Sequence, residues 1–382
     1  MMRRRAILHI GTEKTGTTAI QNRMRAAAPQ LARQGVIFSE VLGPGNHTHL
    51  VAACMEDDVW DRVKANILAT HLLQPPAFRA RLREEFAQAL AAAGDWHTVI
   101  GSSELIHSRL LLPSEIDRLF ETFRPHVDEI EVVLFLRRQD RLALSRFSTA
   151  LRGGFSEFDA VFGSIAPSNY FRLPPGHAID DMVDYFDYRR LIERFLPHLP
   201  IEKIKVVLYP EDMNAGTDSV AEFIQLAGLD AALVEGPTDR MNLPMPVEAQ
   251  YVMSEVNKLL PMSFPSGRRN LHLKKLHTEI EATVHGTRRQ VRRADAEAFV
   301  ARYGESNEWV RTIFFPERES LFSDRFNQYP DEVDYSRLRT ELAGEVRRFR
   351  QMASSVPQAE VRLHGLLTRA KRWLWPQKLA AR

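Results

Sequence analysis

Gly11-Thr-Glu-Lys-Thr-Gly-Thr-Thr18 packs two glycines, four threonines and a lysine into eight residues. Small residues let successive backbone N–H groups turn toward one point, and the hydroxyls and ammonium add further donors. Between a strand and a helix, such a loop is an anion cradle. Gly11 and Gly16 keep the spacing of the nucleotide P-loop, G-x-x-x-x-G-K-[ST], but position 17 is threonine and the cation stands upstream at Lys14. An ATP loop needs its lysine after the last glycine to reach the terminal phosphates. No strand-terminal aspartate completes a magnesium site with the loop threonine either. The loop therefore suits an anionic group held without a metal. A tight Gly-Thr turn with no ligand is the plain alternative.

A second set of groups lies in Phe135-Leu-Arg-Arg-Gln-Asp-Arg-Leu-Ala-Leu-Ser145. Arg137 ends the clearest strand-like run, and Ser145 follows eight residues on, a little over two helical turns. A guanidinium at a strand end and a hydroxyl on the next helix can grip one phosphate. Arginine suits the task because its planar fork donates in pairs. A surface pairing of Arg137 with Asp140, with Ser145 on a solvated helix face, is the competing reading.

These groups need elements to hold them. Residues 6–10 read as a buried strand ended by Gly11, 18–28 as a helix and 35–38 as a short strand. Leu82, Phe86, Ala89, Leu90 and Ala93 give helical spacing over 78–93. A strand begins at 98–100, Pro113 opens a helix to 123, and 130–136 is a strand followed by a helix to 151. Residues 182–196 read as helix, 204–208 as strand, and 218–227 as a helix stopped by Gly228. Strand–helix alternation with apolar strands predicts an α/β fold, a P-loop-type parallel sheet flanked by helices on both faces. Ligands in such sheets sit outside the carboxyl ends of the strands, here residues 11–18, 39–49, 102–107, 137–145 and 210–212.

The expected organisation is an α/β core over 1–230 and a mainly helical C-terminal extension over 231–382 packed on that core. Within the core, about 153–178 is rich in Gly, Pro, Ser and aromatics, and reads equally as a lid-like insertion or as a packed one. Residues 361–374 carry an apolar stripe with basic residues off it and read as an amphipathic helix, for which docking on its own protein is preferred over an anionic membrane surface. Arg288-Arg-Gln-Val-Arg-Arg293 reads as a solvated helix face before it reads as a polysaccharide site.

Composition narrows the classes further. The chain has 382 residues, 44% apolar and 26% charged, with a net charge of +2. No apolar run approaches the ~20 residues that cross a bilayer, and the N-terminal apolar run is too short for a secretory leader. Cys54 is the single cysteine, which excludes internal disulfides and cysteine-based clusters. The small net charge argues against a nucleic-acid binder. A reduced, cytoplasmic protein is the expectation.

Lys14-Thr-Gly-Thr-Thr18 resembles the Pro-Lys-Thr-Gly-Thr-Thr loop of the sulfotransferases that use 3′-phosphoadenosine-5′-phosphosulfate (PAPS), with Glu13 where proline is common. The interval from Arg137 to Ser145 is similar to their 3′-phosphate motif; Arg138 and Gln139 replace an acidic or Asn residue and a proline. Lys205-Val-Val-Leu-Tyr-Pro-Glu-Asp-Met213, followed by Phe223-Ile-Gln-Leu-Ala-Gly228, resembles the family's later strand and helix, with Glu211 and Asp212 as structural caps. The resemblance runs over about residues 8–229 and is nearest to bacterial carbohydrate-type members. It implies PAPS as sulfuryl donor, no metal, and a hydroxyl acceptor on a saccharide. Lys14 would act at the bridging oxygen. Thr15, Gly16, Thr17 and Thr18 would hold the 5′-phosphate, and Arg137 and Ser145 the 3′-phosphate.

The family takes the acceptor's proton with a glutamate or a histidine. Glu104 follows the strand beside the first one and is the leading candidate; His47 and His49, in a polar loop after Gly43-Pro-Gly45, come next, and His107 is a further rival. His47 and His49 lack a third ligand for a metal. Two alternatives stand beside this reading: a P-loop kinase using Mg·ATP, and a catalytically inactive nucleotide-binding protein.

Overall fold

The computed structural model describes residues 3–59, 61–162, 185–209, 219–230, 245–260, 262 and 270–354. These divide into two compact units. The first comprises residues 1–142, 166–241 and 299–324, and the second 143–165, 242–298 and 325–382.

The first unit is built on five strands: β1 (Arg5–His9), β2 (Val36–Phe38), β3 (Thr98–Ser102), β4 (Glu129–Leu136) and β5 (Ile204–Leu208). All neighbours are parallel, in the order β2-β3-β1-β4-β5, with Ile7 opposite Ile100 on one side and Glu131 on the other. The expected parallel α/β sheet is therefore present. Alternation along each strand splits its side chains between two apolar layers. Ile7, Ile100, Val133 and Phe135 pack with Ile20, Met24 and Leu31 of α1 (Thr17–Arg33) and with Phe223. Ala6, Leu8, Val99, Val132 and Leu134 face Phe86, Phe120, Phe123 and Phe195. Helices thus cover both faces, which is why the strands read as unbroken apolar runs.

The chain leaves central β1 toward β2, returns to β3 beside β1, and crosses to β4 on the other side. Loops after β1, β3 and β4 consequently meet at one edge, where a parallel sheet presents its ligand crevice. Among the described residues no helix is long and apolar enough to cross a membrane.

In the second unit, Phe147, Leu151, Met253, Leu273, Ile280 and Phe349 form a separate apolar core. Residues 288–293 are not the expected solvated helix face. Arg289 is buried, with its guanidinium carbon 4.2 Å from the Phe158 ring centre and 4.7 Å from that of Phe147, and it donates to the Phe158 carbonyl. Phe155 and Phe158, the first aromatics of the 153–178 segment, lie in this unit, and Asn257 donates to the Phe155 carbonyl. From residue 163 on, that segment, with Tyr170 and Phe171, lies outside the described residues, as do Glu211, Asp212 and the 361–374 tail.

Candidate active site at the edge of the parallel sheet

The loop after β1 is shaped by three left-handed residues, Gly11 (φ 55°), Lys14 (φ 70°) and Gly16 (φ 81°). Its first part extends the sheet: the Ile10 N–H donates to the Val133 carbonyl at 3.0 Å and the Thr12 N–H to that of Phe135 at 3.0 Å. The Thr15 hydroxyl then closes the turn onto the Thr12 carbonyl at 2.7 Å. Gly16 caps α1, so the N–H groups of Thr17 and Thr18 open the helix with no intrahelical acceptor available to them. A side chain at Gly16 would collide with Ser219, with Tyr209 close behind, so only glycine lets the loop lie there.

Arg137 follows the last residue of β4 and donates from Nη1 to the Lys14 carbonyl at 3.0 Å. Its guanidinium carbon also lies 5.3 Å from the centre of the Tyr209 ring. The competing partner, Asp140, is taken instead by Arg138, in a buried two-pronged pair at 2.8 and 3.0 Å. Arg138, one of the departures from the family pattern, thus has a structural task. Ser145 sits partly exposed on the helix that follows β4 (Gln139–Arg152).

Glu13, another departure, pairs its carboxylate with groups behind the cradle. Arg109 donates to Oε1 at 2.8 Å and the Tyr185 hydroxyl to Oε2 at 3.0 Å, while Asp61 lies 3.7 Å from the same arginine. An acid within an anion-binding loop would repel its ligand, and this buried pairing answers its charge. The Thr12, Thr15 and Thr17 hydroxyls are engaged by the Phe135 carbonyl, the Thr12 carbonyl and Glu104, and Thr18 is exposed where the N–H groups at the start of α1 open, a donor set that suits an anion.

Glu104 emerges two residues after β3, which pairs directly with β1. Gln21 donates to its Oε2 at 2.9 Å and the Thr17 hydroxyl hydrogen-bonds to the same carboxyl. Burial raises the Glu104 carboxyl above the ordinary glutamate range, with the nearby Glu13 charge adding to it and the Gln21 and Thr17 donors opposing it. A raised carboxylate beside the loop is the electrostatic profile of a general base.

The histidines are placed otherwise. The expected polar loop is short, because the chain enters α2 (Thr48–Cys54) directly after His47. His47 is fully buried, stacks near Phe38 at 4.4 Å, and accepts the Ser102 N–H at Nδ1 over 3.0 Å. Its one basic lone pair is thereby taken, and burial pushes its pKa down to about 3. His49 packs its ring against His71 and Phe78, on the helices beyond α2. His107 is buried and bonds to the Tyr185 carbonyl at 2.9 Å, with burial lowering its pKa to about 4. Glu104 is the candidate base hydrogen-bonded to Thr17 at the end of the loop.

Residues that sequence reasoning passed over are Gln21, Asn46, Arg109, Tyr185 and His9. The last is a buried histidine 2.8 Å from the Ser102 hydroxyl. Gln21 stands one turn beyond Thr17 on the same helix face, a spacing that offered a signal.

No family model and no curated protein matches the chain. Among solved structures, it is similar to the sulfotransferase domain from the Synechococcus PCC 7002 olefin synthase. The two are 11% identical with a TM-score of 0.32, covering 74% of this chain and 94% of that one. It is also similar to the sulfotransferase domain from the curacin biosynthetic pathway, 11% identical with a TM-score of 0.30, covering 90% and 98%. Likeness this faint assigns no activity, and the functional reading comes from the residues of the site.

Proposed function

We propose that the chain is a sulfotransferase that moves a sulfuryl group from PAPS to a hydroxyl, with a saccharide as the acceptor class. The observation that carries the reading is the hydrogen bond from Arg137 to the Lys14 carbonyl. It joins, at one edge of the sheet, the two motifs that would hold opposite ends of a doubly anionic adenosine donor.

The donor supplies the activated sulfuryl group; the protein's own residues bind, orient and move a proton. Thr15, Gly16, Thr17 and Thr18 would hold the 5′-phosphate, Lys14 would stabilise charge growing on the bridging oxygen, and Arg137 would take the 3′-phosphate. Glu104 would accept the acceptor's hydroxyl proton as that oxygen bonds to sulfur and the bond to the 5′-phosphate breaks. Positioning and electrostatics, rather than covalent catalysis, do this kind of in-line transfer.

Calorimetry tests the reading. Adenosine 3′,5′-bisphosphate should bind without magnesium and more tightly than Mg·ATP. Tighter binding of Mg·ATP, with magnesium-dependent turnover, would replace it with the kinase reading.

A further inference from the structure

Gln21 has no place in the motif-based assignment, yet it is buried and both hydrogens of its amide are engaged. Nε2 donates to Glu104 Oε2 at 2.9 Å and to Asn46 Oδ1 at 3.4 Å, and the Ser103 hydroxyl donates to that same Asn46 oxygen at 2.6 Å. The chain Ser103–Asn46–Gln21–Glu104–Thr17 thus ties α1, the turn before α2 and the end of β3 into one network.

Its polarity matters. An amide N–H can only donate, so it matches a carboxylate oxygen and offers nothing to the proton of a carboxylic acid. Around Glu104, burial first and then the carboxylate of Glu13 from the loop favour the neutral acid. Thr17 and Gln21 from α1 favour the anion. Glu13 is itself paired with Arg109; His47 follows Asn46 in the chain and is neutral, and Arg25 of α1 acts electrostatically on His47.

We propose that Gln21 is a positioning residue for the reaction: its amide, fixed by Asn46, holds the Glu104 carboxylate ionised and aimed at the loop. The proposal rests on reading Glu104 as the base.

The test is the titration of Glu104 in the full chain, followed by NMR of 13C-glutamate-labelled protein and assigned by the signal lost in Glu104→Gln. In Gln21→Met the midpoint should rise by about one pH unit, the size expected on losing one hydrogen bond to a charged group. Asn46→Ala should move it the same way by less, and serves if the buried methionine impairs folding. The acid limb of the kcat profile for transfer should follow the midpoint, with binding of adenosine 3′,5′-bisphosphate retained. A midpoint unmoved in both variants overturns the proposal. A shifted midpoint in a chain that transfers no sulfuryl group upholds the grip of Gln21 on Glu104 and overturns the functional reading alone.

Discussion

Two regions meet at the carboxyl end of β3, and burial acts on them in opposite senses. On the loop side, Glu104 is raised by burial, opposed by donors from Gln21 and Thr17. On the inner side, His9, His47 and His107 are buried and neutral, with pKa values of about 3, 3 and 4. Low dielectric penalises whichever form carries charge, so the same environment makes a carboxylate more basic and an imidazole less so. Under the proposed function, Glu104 is the group suited to take a proton, and the three histidines are packed, neutral groups behind it.

The strongest way to break this contrast is Glu104→Gln. Removing a general base should lower sulfuryl transfer by about 10²–10⁴-fold, with nucleotide binding intact by calorimetry. The thermal midpoint at neutral pH should hold or rise. A carboxyl with a raised folded pKa costs stability as pH climbs through that pKa, and the amide has no such cost. Retained transfer in this variant would return the role to a histidine.

The inner region predicts an acid response of the opposite sign. Each buried histidine has a folded pKa below its unfolded value near 6.5. Below pH 6.5 the unfolded chain takes up protons that the folded chain refuses, so stability falls as pH drops toward 4. Each group contributes about 1.4 kcal/mol per pH unit. Denaturant melts between pH 7 and pH 5 read this directly; a flat profile would mean that the imidazoles are charged when folded.

A smaller effect sharpens the comparison. His47→Asn keeps a residue tolerant of the left-handed backbone found there (φ 34°) and loses packing on Phe38. Stability should drop by about 1–2 kcal/mol, with transfer per folded molecule unchanged. His49→Ala should alter transfer least of all.

Much of this was legible in the residues. β4 and β5 announce themselves as apolar runs, and glycine–lysine–glycine spacing marks the loop because backbone geometry demands it locally. Helix α2 was hidden, because Thr48-His-Leu-Val-Ala-Ala-Cys54 has no polar stripe to give it a period: residues 50–54 are all buried. Partners far apart in the chain were hidden too. Arg109 answers Glu13 across 96 residues and Gln21 reaches Glu104 across 83. No local pattern records such pairings; only the order β2-β3-β1 brings them together.

The central claim is that Arg137 reads a phosphate at the far end of the nucleotide from Lys14. Isothermal titration with adenosine 3′,5′-bisphosphate and with adenosine 5′-monophosphate tests it on the wild type and on Arg137→Ala. The wild type should prefer the bisphosphate by about tenfold or more, the worth of one charge-assisted contact, and the variant should lose that preference while binding the monophosphate as before. An unchanged preference in Arg137→Ala would contradict it.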